Sequence, residues 1–123
     1  LLNLTKRNVV QSRGGLATWQ LRRTTEYIEA RLEEPITLLE LAALVRLSPF
    51  HFARAFKAST GHPPHRYHME MRINRSKVLL RTTGLPITEI ALGLGYDSPQ
   101  TFARVFRQIV GCTPSDWRRD RLS

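Results

Sequence analysis

Residues 48–67 read SPFHFARAFKASTGHPPHRY, and residues 98–117 read SPQTFARVFRQIVGCTPSDW. The second segment repeats the first with a shift of 50 residues, and eight of the twenty aligned positions are identical. Two unrelated segments of average composition would share roughly one position. The identical positions include a Ser-Pro start, two phenylalanines four residues apart and a glycine. The chain therefore contains an internal duplication, which predicts that one structural unit occurs twice.

Each copy carries the local signals of a helix-turn-helix. In the first copy, Ser48-Pro49 supplies a helix N-cap followed by proline at the first helical position, and this helix is expected to stop before Gly61. Upstream, Thr37 and Glu40 have capping-box spacing, which predicts a short helix that ends at about Val45. Two short helices joined by a three-residue turn form a helix-turn-helix.

The second copy differs from the first by one residue in its turn. Glu89-Ile90-Ala91 matches Glu40-Leu41-Ala42 with a shift of 49, whereas the Ser-Pro segments match with a shift of 50. The second turn must therefore contain an extra residue, for which Asp97 is the simplest choice.

Helical periodicity recurs along the chain and strand-like alternation is scarce, which predicts an all-α fold of about seven helices. A helix is predicted from Ala17 to Leu32, and another from His65 to Arg81, a stretch without proline or glycine. The latter would join the two helix-turn-helix subdomains as a rigid connecting helix. We expect an interdomain linker at 1–15, a first subdomain at 16–64, the connecting helix at 65–82 and a second subdomain at 83–123.

Composition indicates the class of partner. The chain has 123 residues, 41% of them hydrophobic, which suits one folded domain. Its 19 Lys and Arg against 10 Asp and Glu give a net charge of +9, which favours a polyanionic partner. The sequence shows no membrane span or signal peptide, so we expect a cytoplasmic protein. Because the chain begins at Leu1, we expect a piece of a longer protein.

The sequence contains no motif that indicates an enzyme. There is no phosphate-binding glycine loop and no plausible pair of nucleophile and base, so we predict no enzyme, no catalytic residue and no cofactor. Cys112 is the only cysteine, which excludes an intramolecular disulfide and a cysteine-built zinc site. His62, His65 and His68 suggest a metal site, but their three-residue spacing spreads the side chains around a helix. Ordinary surface or helix-start histidines are the favoured interpretation.

The duplicated helix has two chemically different faces. At 100° per residue, Phe52, Ala55 and Phe56 share one side, which is predicted to be core. The opposite side of the first copy carries Phe50, Arg54 and Lys57, and that of the second carries Gln100, Arg104 and Arg107. Apolar, amide and guanidinium groups on one helix face suit the major groove of DNA. Two alternatives stay open: the arginines are solvated surface charges, or Phe50 belongs to the core.

The segment 87–106, ITEIALGLGYDSPQTFARVF, with Gly111 and Thr113-Pro114 behind it, resembles the DNA-binding domain of the AraC/XylS transcriptional regulators. The resemblance covers about residues 19–119. It implies sequence-specific binding to double-stranded promoter DNA, RNA polymerase as a partner, and an effector bound by an N-terminal domain absent from this chain. Arg46 departs from the family pattern, since many members carry glycine or another small residue there.

Matching positions of the family assign roles to single residues. The resemblance implies that five side chains contact base edges: Phe50, Arg54, Gln100, Thr101 and Arg104. Lys57 and Arg107 are expected to contact phosphate, which positions the protein without reading sequence. Because the first unit has Phe50-His51 where the second has Gln100-Thr101, two different half-sites in successive major grooves are expected. An RNA-binding or nucleoid protein is the alternative, although it would account for the charge alone.

Overall fold

The computed structural model of the protein describes residues 14–120, and this part of the chain contains α-helices and no strand. The all-α prediction is confirmed. Seven helices lie within residues 14–120: α1 (Thr18–Ala30), α2 (Leu38–Leu44), α3 (Pro49–Thr60), α4 (Pro64–Thr82), α5 (Ile87–Gly93), α6 (Pro99–Val110) and α7 (Pro114–Asp120). None of them combines the length and apolar character needed to cross a bilayer. Of the predicted linker, all but Gly14 and Gly15 lies outside the described residues.

Three helices, α2, α3 and α6, begin at the predicted caps Thr37, Ser48 and Ser98. The Thr37 hydroxyl accepts a hydrogen bond from the Glu40 amide at 3.1 Å, and the Glu40 carboxylate accepts one from the Thr37 amide at 3.1 Å. Such reciprocal bonds satisfy amides that a helix start otherwise leaves unpaired. Helix α1 ends at Ala30 and is therefore shorter than predicted. Leu32, the last residue of the predicted helix, lies in the loop that follows, and its side chain is buried.

The described residues fall into two compact units. Unit 1 comprises residues 14–31 and 36–68, and unit 2 comprises residues 32–35 and 69–120. Helix α4 runs without interruption from the end of unit 1 into unit 2. Unit 1 holds the first helix-turn-helix, α2–α3, and unit 2 holds the second, α5–α6. The four-segment division predicted from the sequence stays a prediction.

Phenylalanine pairs form the centre of both cores. Phe52 and Phe56 are fully buried in unit 1 with ring centroids 5.5 Å apart, and Tyr67 meets Phe56 edge-on at 5.4 Å. In unit 2, Phe102 and Phe106 are fully buried with centroids 5.7 Å apart. Burial of such a side chain stabilises a fold by about 1.5–3 kcal/mol. The duplicated aromatic positions are therefore core positions in both units.

The two turns have the same construction except for one residue. The amide of Leu47 donates to the carbonyl of Ala42 at 3.1 Å, and the amide of Tyr96 donates to that of Ala91 at 3.1 Å. The residues that form these two bonds are 49 positions apart in the two copies, whereas the capping residues Ser48 and Ser98 are 50 positions apart. The extra residue must therefore lie between Tyr96 and Ser98, which confirms Asp97.

Equivalent positions in the two turns have left-handed backbone. Arg46 has a φ of 60° and Gly95 has a φ of 94°. At Gly95 a side chain is excluded, because a Cβ atom would overlap the carbonyl oxygen of Glu33 and lie 2.7 Å from the guanidinium of Arg72. At Arg46 an L-residue adopts the left-handed conformation at a cost of about 1–2 kcal/mol.

We expect opposite results from two substitutions in these turns. Gly95→Ala should lower the free energy of unfolding by at least about 2 kcal/mol, because left-handed strain and overlap with Glu33 add. Arg46→Gly should raise it by up to about 1 kcal/mol, because relief of strain outweighs the entropy that glycine loses on folding. Urea denaturation of both variants is the measurement. A destabilised Arg46→Gly protein would contradict this account of the first turn.

Candidate nucleic-acid interface

Helix α3 presents one polar and aromatic face to solvent in unit 1. Its N-terminus is fixed by Ser48, whose hydroxyl accepts from the His51 amide at 3.1 Å, and its buried side holds Phe52, Ala55 and Phe56. On the opposite side Phe50 is 72% exposed, which rules out the core alternative for this residue. Arg54 and Lys57 are exposed on the same side.

Phe50 and Arg54 also contact each other. The Arg54 guanidinium carbon lies 5.6 Å from the Phe50 ring centroid, within range of a cation–π interaction. This contact restricts the Arg54 side chain on the helix surface, so less entropy is lost when it binds a partner.

Helix α6 presents a different set of groups in unit 2. Gln100, Arg104 and Arg107 are exposed, and Phe102, Val105 and Phe106 are buried behind them. Thr101 is half-buried: its amide donates to the Ser98 hydroxyl at 3.1 Å, and its own hydroxyl accepts from Ser98 at 3.0 Å. These two bonds hold the Thr101 side chain in place at the start of the helix.

Each helix therefore brings together the residues predicted for its unit. Three predicted residues lie on the exposed side of α3, and four lie at or near the exposed side of α6. Their individual contacts with DNA stay a prediction.

His51 belongs beside these residues although it was not among the predicted contacts. It is exposed and lines a groove of about 290 Å³ together with Gly14, Phe50, Arg54 and Ala55. The duplication itself carries the signal, because His51 is the counterpart of Thr101.

The segment that leads into α1 is attached to α3. The amide of Leu16 donates to the Ser59 hydroxyl at 2.8 Å, and the Leu16 side chain is 1% exposed. Ser59 is seven residues after Phe52, which places it on the same side of α3 as the buried phenylalanines. This hydrogen bond joins two residues that are 43 positions apart in the chain, and it helps to fix α3 within unit 1.

Arg72 supports the turn before α6, a role that sequence reasoning missed. Its guanidinium donates to the carbonyls of Leu32 at 2.7 Å and Glu34 at 3.1 Å, and lies 5.3 Å from the Tyr96 ring centroid. Burial lowers the pKa of Arg72, while Tyr96, Glu33 and Asp97 oppose that shift. Tyr96 in turn packs on Phe102 of α6 at 5.4 Å.

The histidines do not form a cluster. His62 is half-buried, His65 is exposed and His68 is buried. Within residues 14–120, no three His, Cys, Asp or Glu side chains are arranged to hold a metal ion.

Comparison with known proteins relates this chain to DNA-binding regulators. A family model described as "Helix-turn-helix domain" matches residues 41–120. The chain is 40% identical over 93 residues to the "Right origin-binding protein" of Escherichia coli K12, covering 76% of this chain and 32% of that protein. This chain thus spans about a third of the length of that relative.

Solved structures share the fold. An AraC-type DNA-binding regulator from Chromobacterium violaceum superimposes with a TM-score of 0.78 and 32% identity, covering 83% of this chain and 91% of that one. The DNA-binding domain of AdpA, a global transcriptional factor solved in complex with a target DNA, has a TM-score of 0.76 and 27% identity. That likeness covers 81% of this chain and 90% of the AdpA domain.

Arg72→Ala should lower the free energy of unfolding by about 2–4 kcal/mol, because two charged hydrogen bonds and a cation–π contact are lost together. Arg75→Ala is the matched control on the same helix, and this exposed residue should change stability by less than about 0.5 kcal/mol. Both values come from urea denaturation followed by circular dichroism. Equal effects of the two substitutions would show that Arg72 does not support the turn.

Proposed function

Since this chain belongs to the AraC family of helix-turn-helix transcriptional regulators, we propose that each of its two units reads one half of a double-stranded promoter site. The chain is a DNA-binding domain of a transcription factor and not an enzyme. The observation that carries the proposal is the pair of matched helices, α3 and α6. Each buries its phenylalanine side and presents an arginine at the equivalent exposed position, Arg54 or Arg104.

The exposed groups suit different parts of a base pair. An arginine donates two hydrogen bonds to guanine, and a glutamine pairs with adenine in the same bidentate manner. We therefore assign guanine contacts to Arg54 and Arg104 and an adenine contact to Gln100. Phe50 offers apolar contact to a thymine methyl group, and Thr101 offers a hydroxyl at the start of α6.

Lys57 and Arg107 are assigned to phosphate. Each lies three residues after the arginine of its helix, in the last turn, and is exposed. Contacts with phosphate fix the position of a protein on DNA without distinguishing sequences.

The two half-sites should differ and should have a fixed spacing. Phe50 and His51 of unit 1 are replaced by Gln100 and Thr101 in unit 2, so the units cannot prefer the same bases. Helix α4 joins the units without interruption over 19 residues, or about 28 Å at 1.5 Å per residue. We propose that it directs the units into successive major grooves of a directional site.

Two partners of the complete protein belong to the same proposal. We propose that the complete protein contacts RNA polymerase and that its effector binds a domain outside this chain. The share of the Escherichia coli relative that this chain covers, 32%, supports a longer protein. The cytoplasm, where bacterial promoters are transcribed, is the proposed location.

Base and phosphate contacts give different signatures on substitution. Arg54→Ala and Arg104→Ala should each weaken binding to the cognate duplex by about 1–3 kcal/mol and relax preference at one base position. Lys57→Ala should weaken all duplexes similarly and reduce the slope of log affinity against log salt by about 0.9. Fluorescence titration of cognate and scrambled duplexes at several salt concentrations measures both quantities. Uniform weakening by both arginine substitutions would identify them as phosphate contacts instead.

Changes in half-site spacing test the connecting helix. An insertion of half a turn of DNA moves one half-site to the other face, and a full turn exceeds what α4 can span. Both insertions should reduce affinity to that of a single half-site, measured by titration of labelled duplexes. Full affinity after the one-turn insertion would contradict a rigid α4.

A further inference from the structure

A second exposed groove lies in unit 2, along the side of α4. It has a volume of about 340 Å³ and is lined by Asn74, Lys77, Val78, Arg81 and Trp117. The four α4 residues follow one another at helical spacing and form one stripe on the helix surface. Val78 is 56% exposed and Arg81 is exposed, so the unit 2 core does not account for their side chains.

Trp117 arranges the cations of this groove. The guanidinium carbon of Arg81 lies 3.6 Å from its ring centroid, and the ammonium of Lys77 lies 4.8 Å from it. The indole Nε1 donates to the backbone carbonyl of Lys77 at 3.2 Å, which fixes the ring on α4. Stacking engages the face of a guanidinium and leaves its N–H edge available to a carboxylate.

The groove lies away from the side of α6 that binds DNA in the proposed function, and its role as a separate site rests on that function. Trp117 packs on Phe106 with ring centroids 6.4 Å apart, and Phe106 is on the buried side of α6. Arg104 is two residues from Phe106, or about 200° around the helix. DNA bound at Arg104 would therefore face the opposite side of the unit 2 core from Trp117.

Duplication does not explain the positive charge of the groove. In unit 1 the counterpart of Trp117 is Tyr67, whose pKa is raised by burial and, to a smaller extent, by the negative charge of Glu29. In unit 2, α4 contributes Arg72, Arg75, Lys77 and Arg81 against a single acidic residue, Glu70. Equivalent aromatic positions thus have neighbours of opposite sign.

We propose that this groove is a docking surface for an acidic segment of a partner protein. Carboxylates of the segment bind Arg81 and Lys77, and an apolar side chain of the segment packs on Val78 and the edge of Trp117. Charge complementarity selects the acidic segment, and the position of the groove leaves the DNA-binding side of unit 2 open. The domain would then hold DNA and the partner at the same time.

Nuclear magnetic resonance of the 123-residue chain locates the site directly, because Trp19 and Trp117 give only two indole N–H signals. The probe is a 12-residue peptide of four Glu-Glu-Leu repeats, and the matched peptide has Gln in place of Glu. We expect the acidic peptide to shift the Trp117 signal and leave the Trp19 signal in place, both with and without bound duplex. A peptide that moves neither signal, or that is displaced by the duplex, would overturn the proposal.

Two double variants, each of which removes two positive charges, distinguish docking in the groove from general electrostatic attraction of the peptide. Lys77→Gln with Arg81→Gln should weaken peptide binding by about tenfold and leave DNA affinity within about twofold. Arg104→Gln with Arg107→Gln should do the reverse. The bond from Trp117 to the Lys77 backbone survives both changes.

The two double variants also distinguish a failure of the docking surface from a failure of the proposed DNA binding. Equal weakening of peptide binding by both double variants, or loss of DNA affinity in the Lys77 and Arg81 variant, would overturn the docking surface. If the unaltered chain failed to prefer its cognate duplex, the proposed reading of half-sites would fall, whereas the peptide measurements would still decide the docking surface.

Discussion

Two phenylalanines four residues apart fix the rotation of α3, and an equivalent pair that of α6, about the helix axis. Phe52 and Phe56 in α3, and Phe102 and Phe106 in α6, are fully buried. Rotation of either helix by a few tens of degrees would bring a ring into water at a cost of about 1.5–3 kcal/mol. Because the exposed groups are defined relative to that buried side, the aromatic pairs determine which side chains of α3 and α6 can reach a partner.

The duplicated units have kept their cores and changed their surfaces. Tyr67 and Trp117 cover Phe56 and Phe106 at equivalent positions, so the packing arrangement is shared. The exposed faces have diverged, with an aromatic at Phe50 where the second unit has an amide. Packing permits few alternatives at buried aromatic positions, whereas exposed positions are open to chemistry. The proposed reading of two different half-sites requires this combination.

The two turns have the same left-handed backbone conformation at equivalent positions, with arginine in one turn and glycine in the other. Arg46 and Gly95 both have left-handed φ values, and at Gly95 the backbone of Glu33 lies where a Cβ atom would stand. Arg72 holds the loop that contains Glu33 against this turn through the carbonyls of Leu32 and Glu34. Unit 2 therefore needs glycine for space as well as for conformation, and unit 1 accepts a side chain.

The sequence by itself determined the all-α fold, the duplication, the caps and the exposed faces of α3 and α6, because these depend on helical period and on bonds between near neighbours. Only the tertiary structure decided the end of α1, the partners of Arg72 about 40 residues away, the Leu16–Ser59 bond and the stacking of Arg81 on Trp117. Each of the last three joins residues far apart in the chain, and helical period carries no information about such pairs. Individual base contacts depend on the bound duplex, so the residues assigned to them stay predictions.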